Sequence, residues 1–130
     1  NGTVRTFDRA LRETVRRRLG EIAHGTAAAF GIEAALDWEE GYPATVNDPA
    51  RTAFAAAVAR EVAGGVVDDA PPEMGSEDFA FFLERVPGAY LFLGNGDTAG
   101  LHSPGYDFDD RAAPAGASFL ARAVERALPL

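Results

Sequence analysis

The ten residues PGAYLFLGNG at positions 87–96 decide the fold class. Ala89 to Leu93 is a continuous apolar run bounded by turn residues, which reads as a strand covered on both faces. Gly94-Asn95-Gly96-Asp97 then leaves the carboxyl end of that strand, where open α/β sheets collect ligands. Upstream, Ser76-Glu77-Asp78 is expected to open a helix, with a hydroxyl cap and two carboxylates at the positive dipole end. That helix turns Phe79, Phe82, Leu83 and Val86 inward and stops at Pro87-Gly88. Further upstream, Asp48 caps a helix with Pro49 in its first position. It is expected to run to Gly64-Gly65 and bury Phe54, Val58 and Val62, with Val66-Val67 as a short strand after it. Downstream, a loop reaches Pro114, and a last helix takes Phe119, Leu120, Val124 and Leu128 inward. From residue 49 onward, helices alternate with buried strands, an α/β arrangement on a mostly parallel sheet.

The opening third has a different rhythm. Gly2 to Phe7 reads as a strand, and Asp8 as the cap of an amphipathic helix carrying Leu11, Val15, Leu19, Ile22 and Phe30. Gly20 and Gly25 weaken that helix, and either Gly25 or Gly31 ends it. Residues 32–39 alternate apolar and polar, the period of a half-buried strand. Strand, helix, strand leaves a two-stranded sheet, which is marginal alone, so something is missing beside it. Gly41-Tyr42-Pro43 breaks the pattern, and the boundary is expected near residues 42–48.

Composition narrows the class of function. The 130 residues hold 20 acids against 12 bases, for a net charge of -8, which argues against nucleic acid or an anionic membrane as partner. A chain this long buries roughly two-thirds of its unfolded surface, and the 47% hydrophobic content supplies a core. There is no cysteine, hence no disulfide framework and no thiol nucleophile. No apolar run approaches the ~20 residues of a membrane span. All basic residues are arginine, and six of them fall within residues 1–24 against Asp8, Glu13 and Glu21. They form either a solvated helix face or a surface for an acidic partner. The chain opens on Asn1 and its single methionine is Met74, so a processed, trimmed or partial chain is expected.

Few residues offer chemistry. His24 sits on the arginine-rich helix and reads as surface. His102, in Gly100-Leu101-His102-Ser103-Pro104, lies beyond a buried strand and is either a plain loop histidine or a ligand. One histidine does not make a zinc site, which takes about three protein ligands and a water. Asp107, Asp109 and Asp110 are near in sequence and read equally as further ligands or as turn and cap residues. Ser76 and Glu77 read as a helix start or as the lining of a cleft. The G-x-S-x-G nucleophile elbow is absent, and without lysine there is no P-loop.

Taken in order, five motifs are more specific than any one alone. GTVRTFD at 2–8, YPATVND at 42–48, MGSEDFAFF at 74–82, PGAYLFLGNG at 87–96 and LHSPGYDFDD at 101–110 resemble the metal-dependent amidohydrolases of the aminoacylase and carboxypeptidase superfamily. The resemblance is to the hippurate hydrolase, N-acyl-amino-acid amidohydrolase and auxin-conjugate hydrolase type. It implies a zinc-peptidase-like α/β catalytic domain with an inserted βαββαβ lid or dimerisation domain. Residues 1–47 then look like the second half of the insert, and residues 48–130 like the C-terminal part of the catalytic domain. The resemblance implies His102 as a metal ligand, and Asn47, Ser76, Glu77 and Asn95 as substrate-binding. The general-base glutamate and the other ligands fall in a missing N-terminal part of the same protein.

The implied activity is hydrolysis of N-acyl amino acids, hippurate-like or N-acetyl, by water activated on a pair of divalent metals, zinc or manganese or cobalt. A homodimer through the insert and a cytoplasmic location go with it, and the 130 residues alone are expected to be inactive. The competing readings are a non-catalytic remnant or association module, and an unrelated α/β ligand-binding domain. The gene upstream of Asn1 discriminates: a G-x-H-x-C-G-H-D-x-H segment and a double glutamate there support the enzyme.

Overall fold

In a computed structural model, residues 1–128 are described. They carry four helices, α1 (Arg9–Ala29), α2 (Pro49–Val62), α3 (Ala80–Leu83) and α4 (Ala113–Ala127), with a 3-10 turn at Asp110–Ala112 leading into α4. The chain divides into two compact units. One holds Asn1–Val46 and Pro72–Arg85, the other Asn47–Pro71 and Val86–Leu130.

In the first unit, the Asp8 carboxylate accepts from the Leu11 amide at 2.6 Å and starts α1 where its sequence places the cap. Gly25 does not end this helix. Gly31 does, in the left-handed conformation (φ +68°), with Gly31 and Ile32 donating back to Ala28 and Ala27. That pair of bonds satisfies carbonyls the last turn would otherwise leave open. The arginines of α1 meet acids of their own unit. Arg17 and Arg18 both bond Glu21, whose carboxyl they hold below the usual carboxylate range. Arg12 and Arg16 pair with Glu40, and the Arg16 guanidinium lies 5.9 Å from the Trp38 ring. Residues 72–85 join this unit through contacts sequence spacing does not reveal. Tyr42 meets Phe81 edge-on at 5.7 Å, and Arg5 donates to the Met74 carbonyl.

The second unit is built on α2 against α4. Asp48 caps α2 by accepting from the Arg51 amide at 2.9 Å, and Pro49 takes the first position, where its missing N–H costs nothing. Ala55 and Val58 are buried, and Glu61 receives both Arg122 and Arg126 from α4. Gly116 lets α4 approach Leu93: a side chain there would start 3.2 Å from Leu93 Cδ2.

Three expectations are corrected. First, no β-strand is formed among the described residues. Residues 2–7, 32–39, 66–67 and 89–93 lack the ladder of backbone bonds that makes apolar periodicity into a sheet. Second, α3 is one turn long, and Ser76 does not cap it. The amides of Ala80 and Phe81 donate to the Glu77 and Asp78 carbonyls in i→i+3 turns, and Phe79 holds the cap position in helical conformation. Third, α4 turns only part of its apolar surface inward. Phe119 is half-buried, whereas Leu120, Val124 and Leu128 are exposed. Leu91, Phe92 and Leu93 are exposed as well, so the run expected to be covered on both faces is not.

Burial on this scale makes a sharp contrast testable. Val58 is 2% exposed and Leu120 is 67% exposed. Val58→Ala is expected to cost about 2 kcal/mol in urea unfolding followed by far-UV circular dichroism. Leu120→Ala is expected within about 0.5 kcal/mol of the parent. Equal losses at both positions would contradict the packing described.

Candidate functional site

The residues that sequence marks for chemistry fall into both units, and each group is built locally. In the second unit, Asn47 spends its side-chain amide on one residue. Its Nδ2 donates to the Tyr90 carbonyl at 2.9 Å, and its Oδ1 accepts from the Tyr90 amide at 2.8 Å. The neighbouring Asp48 amide donates to the Gly88 carbonyl at 2.9 Å. A side-chain amide has the same donor and acceptor as a peptide unit, so Asn47 stands in for one rung of a ladder.

Asn95 does the same at the other end of the apolar run. Its Nδ2 donates to the Asp107 carbonyl at 2.9 Å, and its Oδ1 accepts from the Asp109 amide at 2.7 Å. Gly96, with φ +77°, turns the chain out of this contact. Asp109 in turn accepts from the Arg111 amide at 3.0 Å and is gripped by its guanidinium, with Nη2 at 2.7 Å. The guanidinium holds the Asp109 carboxyl below its ordinary value, and the carboxylate pushes Arg111 up. Asp109 is thus a cap and ion-pair residue, the structural one of its two readings.

His102 lies exposed in the loop that Asn95 closes. The Ser103 amide donates to the Gly100 carbonyl at 3.1 Å, so residues 100–103 form a turn with His102 in its third position. There φ is +66°, and His102 is the one described non-glycine residue with positive φ. A type II turn needs φ > 0 at that position, and glycine ordinarily fills it. The imidazole is thus held in a glycine-type position at a backbone cost of roughly 1 kcal/mol.

A metal centre is not completed by these residues. Among the described residues, no group of three or more histidine, aspartate or glutamate side chains converges. Asp107, Asp109 and Asp110 do not gather with His102. The cleft of about 430 Å³ beside Asn95 is instead lined by Asp97, Asp107, Asp109 and Asp110, with Arg111 already paired. It is a poor seat for a carboxylate-bearing substrate.

The first unit holds the remaining candidates. Ser76 is exposed, and the Glu77 carboxylate accepts from the Phe79 amide at 3.2 Å. His24 is exposed on α1. The two asparagine contacts escaped sequence reasoning, since their partners stand 43, 12 and 14 residues away. The only available hint was an asparagine at each border of the apolar run.

Two expectations follow. His102→Gly is expected to leave the loop intact and raise stability by about 1 kcal/mol, while His102→Ala does not; thermal unfolding of both variants decides. Asp109 has a depressed folded pKa, so its contribution is present above about pH 4 and is lost as pH falls through the folded value. Arg111→Ala should therefore move the Asp109 carboxyl midpoint upward in a carbon-13 titration, and an unchanged midpoint would refute the pairing.

Comparison with known sequences adds the following. The sequence model described as peptidase family M20/M25/M40 matches residues 5–126. An N-acetyl-L-cysteine deacetylase of Bacillus subtilis (strain 168) is 35% identical over 127 residues, which is 98% of this chain and 30% of that protein. An N-acetyldiaminopimelate deacetylase of Shouchella clausii is 37% identical over 101 residues, 78% of this chain and 27% of that protein. A hippurate hydrolase of Campylobacter jejuni is 34% identical over 122 residues, 92% of this chain and 32% of that protein. The chain spans about a third of the length of the curated relatives it matches. No solved structure matches it.

Proposed function

The chain belongs to peptidase family M20/M25/M40, whose fold class is α/β, and from that premise we propose that it serves a metal-dependent amidohydrolase cleaving N-acyl amino acids. The observation that carries the reading is the family match over residues 5–126, supported by relatives named as deacetylases of N-acetylated amino acids and as hippurate hydrolase. Residues 1–47 are assigned to the second half of a lid or dimerisation insert, and residues 48–130 to the C-terminal part of the catalytic domain. The remaining two-thirds of such a protein would bring the other ligands and the general-base glutamate.

Within that protein, His102 contributes one imidazole to the metal site. There, a bound pair of divalent ions, zinc or manganese or cobalt, would supply a water of lowered pKa and polarisation of the amide carbonyl. This chain holds one ligand, so no catalytic step is assigned to it alone. Substrate contact is proposed for Ser76 and Glu77, and for Asn47 through the amide hydrogen not used on Tyr90. Support for His102 comes from its left-handed backbone in a glycine-type turn position.

A chimera tests the reading. The matching third of the Bacillus subtilis N-acetyl-L-cysteine deacetylase is replaced by this chain, and turnover of N-acetyl and N-benzoyl amino acids is followed by amine release. The chimera is expected to hydrolyse at least one of them, with His102→Ala lowering kcat at least about 100-fold. The isolated 130 residues are expected to show no turnover. Activity of the isolated chain, or a fully active His102→Ala chimera, would sink the proposal.

A further inference from the structure

Asn95 closes a loop. Its side chain is the meeting point of two chain segments, with one hydrogen bond to the Asp107 carbonyl and one from the Asp109 amide. Between them lie residues 96–106, a length typical of an Ω-loop, whose defining feature is that its ends are close. At the far end of that loop is the turn bearing His102, itself fixed by the Ser103 to Gly100 bond and by the Tyr106 to Ser103 bond at 3.0 Å. On the downstream side, Asp109 caps the 3-10 turn at Asp110–Ala112 and grips Arg111, which anchors the neck to the start of α4.

From this we infer that Asn95 is a positioning residue: its amide clasps the neck of the 96–106 loop and so sets where the His102 imidazole stands. The inference rests on the proposed role of His102 for its catalytic consequence, and on the hydrogen bonds alone for its structural one. It differs from the substrate-binding role that the sequence suggests. Both polar atoms of the amide are engaged with backbone, and leaving the part-buried Asp109 amide without its acceptor costs more than the bond's net worth. Asparagine is the residue that fits because one planar group offers donor and acceptor together. Aspartate offers two acceptors at neutral pH, and leucine offers neither.

The two consequences are read by separate measurements. On the 130-residue chain, amide hydrogen exchange is compared for the parent, Asn95→Ala and Asn95→Asp. In Asn95→Ala, exchange within residues 96–106 is expected to rise about tenfold or more, while α2 and α4 keep their protection. In Asn95→Asp the introduced carboxylate can still accept from the Asp109 amide but faces the Asp107 carbonyl with no proton to give, so the loop is looser than in the parent at pH 7. On acidification the carboxyl regains a donor. The loop is then expected to close below about pH 4. Asp97, Asp107, Asp109 and Asp110 surround that position, with Arg111 on Asp109. The four acids shift the regain upward in pH, and the parent shows none.

In the chimera, Asn95→Ala is expected to lower kcat at least about tenfold with KM within about twofold, since the substrate contacts remain. A risen KM with kcat retained would instead make Asn95 a substrate contact and overturn the inference. Unchanged exchange in the loop would overturn it too. If Asn95→Ala loses the helices as well, the acid-dependent closure of Asn95→Asp decides, and its absence counts against the clasp. A chimera inactive with Asn95 in place defeats the amidohydrolase reading alone, because the exchange result still judges the clasp.

Discussion

Every backbone amide and carbonyl that the chain withdraws from water must find a partner, and at Tyr90 the Asn47 side chain supplies what a sheet ladder would. Asn47 answers both polar groups of Tyr90, the Asp48 amide answers Gly88, and Asn95 ties the far end to residues 107 and 109. The segment therefore stays in place without a strand partner among the described residues. The start of α2 and the loop bearing His102 are both set by it. Packing adds Leu93 over Gly116, the edge-on Tyr90–Phe92 ring contact at 5.6 Å, and the half-buried Ala89 and Tyr90.

The same accounting explains why the apolar surface is so open. The buried side chains among the described residues are three alanines and one valine: Ala27, Ala55, Val58 and Ala80. Phe30, Phe92, Leu101 and the Leu120, Val124 and Leu128 side of α4 stay exposed. Soluble monomers rarely leave contiguous apolar patches of more than a few hundred Å² uncovered. Local interactions, by contrast, are well supplied: α1 and α2 each have an aspartate N-cap, and most of the arginines have acids.

What could be read from sequence divides along this line between local and distant. Asp8, Asp48, Pro49 and Gly31 act through partners within five residues, and each does what its position in the sequence implies. The period of α1 and α2 is equally local. Ser76 and two acids match a cap pattern, yet the Ala80 and Phe81 amides donate to the Glu77 and Asp78 carbonyls, and α3 stays one turn long. Apolar periodicity reports a preference for a covered surface and not the presence of the cover, and no strand forms among the described residues. His102 was found by its loop and by family resemblance, but its left-handed backbone is visible only in three dimensions. The asparagine clasps depend on residues 12 to 43 positions away and leave no periodic trace.

The central claim is that side-chain amides hold the 88–95 segment by paired hydrogen bonds to backbone. The most direct measurement is the through-hydrogen-bond scalar coupling between the Tyr90 amide nitrogen and the Asn47 side-chain carbonyl carbon, in uniformly nitrogen-15 and carbon-13 labelled chain. A resolved coupling, with a Tyr90 amide protected from exchange, is the predicted result. No coupling, with Tyr90 exchanging as fast as the exposed residues around Gly64-Gly65, would contradict the account.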